Sequence, residues 1–131
     1  GPDLLPTPDE FDGCHRDWRH KIIRTAQGDG LPFTHGVAAK LINIYLKSAF
    51  ICGGHHNHER VHSLHPPIDS LLLEELNAQN IGGLKKAWRL ASKIRWSKFD
   101  SDQYETVIQN IRKALSGGPL WEVEQYWRGY Q

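Results

Sequence analysis

The chain has only two cysteines, Cys14 and Cys52, and no Cys-x-x-Cys pair, so neither a disulfide framework nor a thiolate zinc site is encoded. Long apolar runs are missing too. Stretches such as residues 42–46 and 71–73 fall far short of the ~20 residues a membrane helix needs. No basic-then-apolar segment opens the sequence, and the expectation is a cytoplasmic protein with no membrane partner. Clean alternation of apolar and polar residues is absent over any useful length, as is an internal repeat, which argues against strands and solenoids. Acids are absent between residues 76 and 99, while Lys85, Lys86, Arg89, Lys93, Arg95 and Lys98 all fall there. The net charge of +1 therefore conceals a local basic surface.

What is present suits one globular domain. A chain of 131 residues can bury roughly two-thirds of its unfolded surface, and five Trp, four Tyr and four Phe supply large core side chains. Gly1-Pro2 reads as a protease-cleavage scar. Residues 3–10, with two prolines and no helical period, read as an extended arm, so residues 1–10 are set apart from a single helical domain over 11–131.

Helical periods then follow one another. Cys14, Trp18, Ile22 and Ile23 recur at helical spacing from Asp12 until Gly28-Asp29-Gly30. A second helix is expected from Thr34 or His35 to Cys52, with Val37, Leu41, Ile44, Tyr45 and Ala49 as its buried stripe and Lys40, Asn43 and Lys47 on a polar stripe. Gly53-Gly54 stops it, and the histidine-rich residues 55–67 read as a loop. Asp69 is placed to cap a short apolar helix carrying Leu71, Leu72, Leu73 and Leu76. After Gly82-Gly83, Leu84, Trp88, Ala91 and Ile94 face inward while Lys85, Arg89 and Lys93 share an outer stripe. Asp100 and Gln103 form a capping box ahead of Tyr104, Val107, Ile108, Ile111 and Leu115. Pro119 suits the start of a last helix carrying Leu120, Trp121, Val123 and Trp127. The expected fold is all-α, about six helices in one orthogonal or bundle-like array, with a possible helix-hairpin-helix near residues 31–52.

The segment Gly36-Val37-Ala38-Ala39-Lys40-Leu41-Ile42-Asn43, followed by a helix, a loop and Pro67-Ile68-Asp69, resembles the helix-hairpin-helix DNA glycosylase superfamily. In that family a Gly-Val-Gly-x-Lys hairpin precedes a helix, and a Val-Asp-Thr-His-like segment brings an aspartate to the start of the next buried helix. Ala38 stands here where the second hairpin glycine belongs. The resemblance implies base excision on damaged DNA: Lys40 attacks the sugar C1′, Asp69 assists the leaving base, and the hairpin backbone at Gly36 holds a phosphate. A lysine attacks only when deprotonated, which burial or cationic neighbours such as Lys47 favour. Asn43, Lys47, Lys85, Arg89 and Lys93 are the expected nucleic-acid contacts, with Trp88, Trp121 or Trp127 as walls for an extruded base. No cofactor is needed.

Three other readings stand beside this one. The first is a non-catalytic helical interaction module, for which Lys40 is a surface lysine and Asp69 a helix cap. In the second, His58-Glu59-Arg60-Val61-His62 satisfies His-Glu-x-x-His, and His58, His62 and His65 could take zinc or nickel adventitiously; the preceding glycines and following prolines favour a polar loop there. In the third, Arg60 and His65 fit the Arg-x-x-x-x-His pattern of HEPN-type ribonucleases.

Overall fold

A computed structural model describes residues 1–126. The fold is all-α, and among the described residues there is no strand. Five α-helices, α1 (Pro8–Gly28), α2 (His35–Leu46), α3 (Ser70–Ala78), α4 (Lys85–Ile94) and α5 (Ser101–Leu115), are linked by short 3-10 turns and one π-helical stretch.

α1 begins earlier than the sequence suggests. Pro8 occupies the first turn after Thr7, with Asp9 and Glu10 beside it, where a missing N–H costs nothing and negative charge suits the helix dipole. The segment before it is no loose arm: residues 2–4 form a 3-10 turn and Leu5 is buried. Arg60 fastens it by donating to the Leu5 and Asp3 carbonyls at 2.6 and 3.0 Å.

Thr34 caps α2 by accepting from the Val37 amide at 3.2 Å. Beyond Leu46 the helix widens into a π-helix over Lys47–His55 and breaks at Gly54, whose φ of 92° suits glycine. By length and composition, the joined stretch His35–His55 could cross a membrane. Its face bearing Ala38, Ala39, Ile42, Asn43 and Leu46 is instead buried against the protein.

That face corrects the expected phase of α2. Leu41, Ile44 and Tyr45, assigned to the core, are 50%, 46% and 69% exposed. Apolar residues run almost all the way round this helix, so periodicity alone fits two phases. Small size decides between them. Gly36 lies against the Trp96 carbonyl, and a Cβ there would sit 1.8 Å from that oxygen, so only glycine lets α2 approach the turn Trp96–Lys98.

Asp69 caps α3 through Leu72 N at 2.9 Å, and the box at α5 forms with Gln103 N donating to Asp100 at 2.8 Å and Asp100 N donating to Gln103 at 2.9 Å. The main core joins α3, α4, α5 and a terminal 3-10 turn over Leu120–Tyr126 through Leu72, Leu73, Leu76, Trp88, Ile108, Ile111 and Val123. Each of these fully buried side chains contributes about 1.5–3 kcal/mol. A smaller cluster, Leu5, Phe11, Ile42, Leu46, Val61 and Leu64, lies under α1 and α2. Trp88 is wholly buried, with its indole N–H on the Ile81 carbonyl at 3.0 Å, so it cannot wall a site for an extruded base.

Candidate functional site

Lys40 and Asp69 meet. Lys40 Nζ lies 3.1 Å from Asp69 Oδ2, with the two side chains 23% and 15% exposed. Asp69 divides its oxygens between two tasks, one capping α3 and the other holding the lysine. Lys47, almost two turns after Lys40 on the same rim of α2, pairs with Glu124 at 2.7 Å. Together with Ser48 and Pro67 these groups line an open cleft of about 330 Å³, within the size range of small-molecule sites. On its other side the Lys40 ammonium lies 4.6 Å from the centre of the Trp96 ring, a cation–π contact.

The remaining expected contacts divide. Lys85, Arg89 and Lys93 are exposed on α4, and Arg95 and Lys98 continue the basic surface around the Trp96 turn. Gly36 and Asn43 are corrected. Gly36 is buried, and its N–H donates to the Phe99 carbonyl at 3.1 Å, so its close approach is to protein backbone rather than phosphate. Asn43 is 0% exposed and its amide is spent inside the molecule. Trp121 is partly buried near His56, and Trp127 lies outside the described residues.

The histidines do not gather. His58 contacts the exposed Asp3 at 3.1 Å, His62 is the middle residue of the 3-10 turn Val61–Ser63, and His65 is buried with both ring nitrogens engaged. Among the described residues no group of three His, Cys, Asp or Glu is placed to hold a metal ion. Arg60 is committed to the N-terminal segment, away from the buried partners of His65.

Sequence reasoning missed a buried polar chain that crosses the domain. Arg19, 0% exposed, sits 2.6 Å from His15 Nδ1. A guanidinium only donates, so Nδ1 accepts and His15 Nε2 carries the hydrogen that it gives to Asn43 Oδ1 at 2.8 Å. The Asn43 amide donates to the Pro66 carbonyl at 3.2 Å and to the Tyr104 hydroxyl at 3.0 Å. Tyr104 in turn donates to His65 Nδ1 at 2.8 Å, and His65 Nε2 donates to Asp12 at 2.8 Å. Arg112 closes that end with a forked pair to Asp12, both contacts 2.7 Å. At the other end Arg19 donates to His35, Ser101 and Glu105. Every hydrogen in this chain has one consistent direction.

The electrostatics agree with that assignment. Burial holds His15 well below the ordinary imidazole range, and burial also lowers His65 against the opposing pull of Asp12. Burial would raise Asp12, but the hydrogen bonds from His65 and Arg112 outweigh it and leave the carboxyl well below its usual range. Burial pushes the Tyr104 phenol up. Glu105, gripped first by Arg16 and also by Ser101 and Arg19, titrates at about 2. Both histidines are therefore neutral links at pH 7. The one available signal was the buried stripe Phe11, His15, Arg19 and Ala26 on α1. Its polar members look like solvent-facing residues when composition alone is read.

No family model matches the chain, and no solved structure matches it. The chain is similar to a protein of Invertebrate iridescent virus 3 described as a probable RAD2-like endonuclease, with 32% identity over 54 residues. The matched stretch covers 41% of this chain and 14% of the viral protein.

Proposed function

We propose that this domain binds DNA and that the Lys40–Asp69 cleft is its reactive centre, of the glycosylase or lyase type that acts on damaged or abasic sites. The contact of Lys40 Nζ with Asp69 Oδ2 at 3.1 Å carries this reading, because the residues that the helix-hairpin-helix resemblance singles out lie 29 positions apart yet meet at the edge of an open cleft. The exposed basic surface of α4 supports it by offering cations to a phosphate backbone. The viral relative's description as an endonuclease supports the broader assignment to nucleic acid.

The chemistry follows from the pair. To attack C1′ the ammonium must first lose a proton, and Asp69 Oδ2 is the acceptor in reach. As the Nζ–C1′ bond forms and the bond to the base breaks, that proton passes from Asp69 to the departing base. On an abasic sugar the same amine forms an imine that borohydride reduces to a stable link. Wild-type protein incubated with abasic DNA and borohydride is expected to give a covalent adduct that Lys40→Ala and Lys40→Arg abolish while helicity is retained. Absence of any adduct from the folded wild type rejects the lyase chemistry.

A second reading, a non-catalytic interaction module, is favoured by one observation. Leu41 and Tyr45 on the outer face of α2 join Trp18 and Ile22 of α1 around an apolar groove of about 480 Å³. In that reading the Lys40–Asp69 pair only ties α2 to α3, and DNA neither binds nor reacts.

A further inference from the structure

Trp18, Trp96 and Trp121 are all partly exposed, unlike the wholly buried Trp88. Trp96 lies at the junction of α4 and α5, with its ring under the Lys40 ammonium. Its position is held from several sides. Gly36 of α2 packs against its carbonyl so closely that no larger residue fits. One residue on, the Thr34 hydroxyl donates to the Ser97 carbonyl at 2.7 Å, and Gly36 N donates to Phe99 O at 3.1 Å. The residue before it, Arg95, has φ 75° and ψ 127°, a backbone conformation rare for any residue with a side chain. Such strain persists only where surrounding structure fixes it, and it clusters at functional sites.

Building on the nucleic-acid reading above, we propose that Trp96 is the platform on which an unpaired or extruded base stacks, and that the Lys40 ammonium holds the ring's place until the base arrives. Relative strengths allow the exchange. A cation–π contact improves an equilibrium by about 2- to 5-fold when exposed and about 30-fold when desolvated, whereas stacking one base on an aromatic ring gives about 5- to 150-fold. A base that takes the ring frees Lys40 from it while Asp69 still holds the amine from the other side. Stacking and exposure of the nucleophile thereby become one event. Arg95 and Lys98, exposed just before and after Trp96 along the chain, offer cations to the flanking phosphates.

Single-stranded oligonucleotides carrying one 2-aminopurine test this, because stacking quenches its fluorescence and anisotropy reports binding independently. With wild-type protein, binding and quenching are expected together. Trp96→Leu, which keeps apolar bulk, should weaken binding 5-fold or more and remove the quench while leaving the slope of log affinity against log salt unchanged. Trp96→Phe should retain a partial quench, and its helicity serves as the folding control. Lys98→Ala should instead lower the salt slope by about 0.7 and keep the quench. Wild-type binding with a quench that survives Trp96→Leu overturns the platform and leaves the DNA reading standing. No wild-type binding overturns both.

Discussion

Replacing Asn43 by leucine removes the middle link of the buried polar chain and leaves a side chain of similar size. Three partners lose the amide: His15 Nε2, the Pro66 carbonyl and the Tyr104 hydroxyl. Tyr104 keeps its hydrogen bond to His65, so its loss is partial. The His15 N–H and the Pro66 carbonyl are left buried without a partner, and each such group costs about 1–3 kcal/mol. The expected destabilisation is therefore about 2–6 kcal/mol, a large share of the ~5–15 kcal/mol that holds a domain together. Urea unfolding followed by circular dichroism measures it. The double variant His15→Phe/Asn43→Leu is expected to recover none of the loss, because removing the orphaned donor also removes the Nδ1 that accepts from the buried Arg19 guanidinium. A loss below about 0.5 kcal/mol, within the range of an ordinary surface change, would refute the role given to this amide.

Two further outcomes follow from the same geometry. Because burial keeps His15 and His65 neutral while the unfolded chain protonates near pH 6.5, their stabilisation is full above that value and is lost as pH falls below it. Each histidine that stays neutral in the fold contributes about 1.4 kcal/mol per pH unit there, and Glu105 adds a second decline from its unfolded value of 4.5 toward about 2. Urea midpoints at pH 7.5, 6 and 5 check the histidines and one at about pH 3 checks Glu105, and a flat profile contradicts both. At Asp69, asparagine keeps the cap but leaves the part-buried Lys40 ammonium without its counter-charge, so Asp69→Asn should cost about 1–3 kcal/mol, while Asp69→Ala should cost about 1 kcal/mol more by losing the cap as well. Equal losses in thermal or urea unfolding would mean that the cap contributes nothing.

The elements legible in the sequence were those whose ends carry local chemistry. Asp69, Asp100 with Gln103, and Thr34 each bond a backbone amide within three residues, so the starts of α3, α5 and α2 could be read directly. The pairing of Lys40 with Asp69 has no local signal, since nothing in the sequence links residues so far apart. The phase of α2 was not legible, because it depends on which neighbour comes closest. That neighbour is the Trp96 turn, fixed by the strained Arg95 some fifty residues away in sequence. The buried chain from Arg19 to Arg112 was hidden for a related reason. Histidine, arginine and asparagine count as surface residues until their partners are known, and those partners come from α1, α2, α5 and the segment before α3.

The misread phase and the hidden network are one fact about α2. If Leu41, Ile44 and Tyr45 faced inward, Asn43 would turn toward solvent, and the His15 N–H and the Pro66 carbonyl would be buried without a partner. With Asn43 inside, both groups are satisfied, and the helix is locked at the one rotation that leaves Lys40 and Lys47 on the rim facing Asp69 and Glu124. The cost of that rotation is the exposure of Leu41, Ile44 and Tyr45. Apolar burial hardly separates the two phases, because turning Leu41, Ile44 and Tyr45 inward would turn Ile42 and Leu46 outward. Two orphaned polar groups in the core, and the clash of any other rotation with the Trp96 carbonyl at Gly36, decide between them. A polar core residue thus sets where the candidate nucleophile points without touching it, so substitutions at Asn43 should disturb the Lys40 site as well as stability.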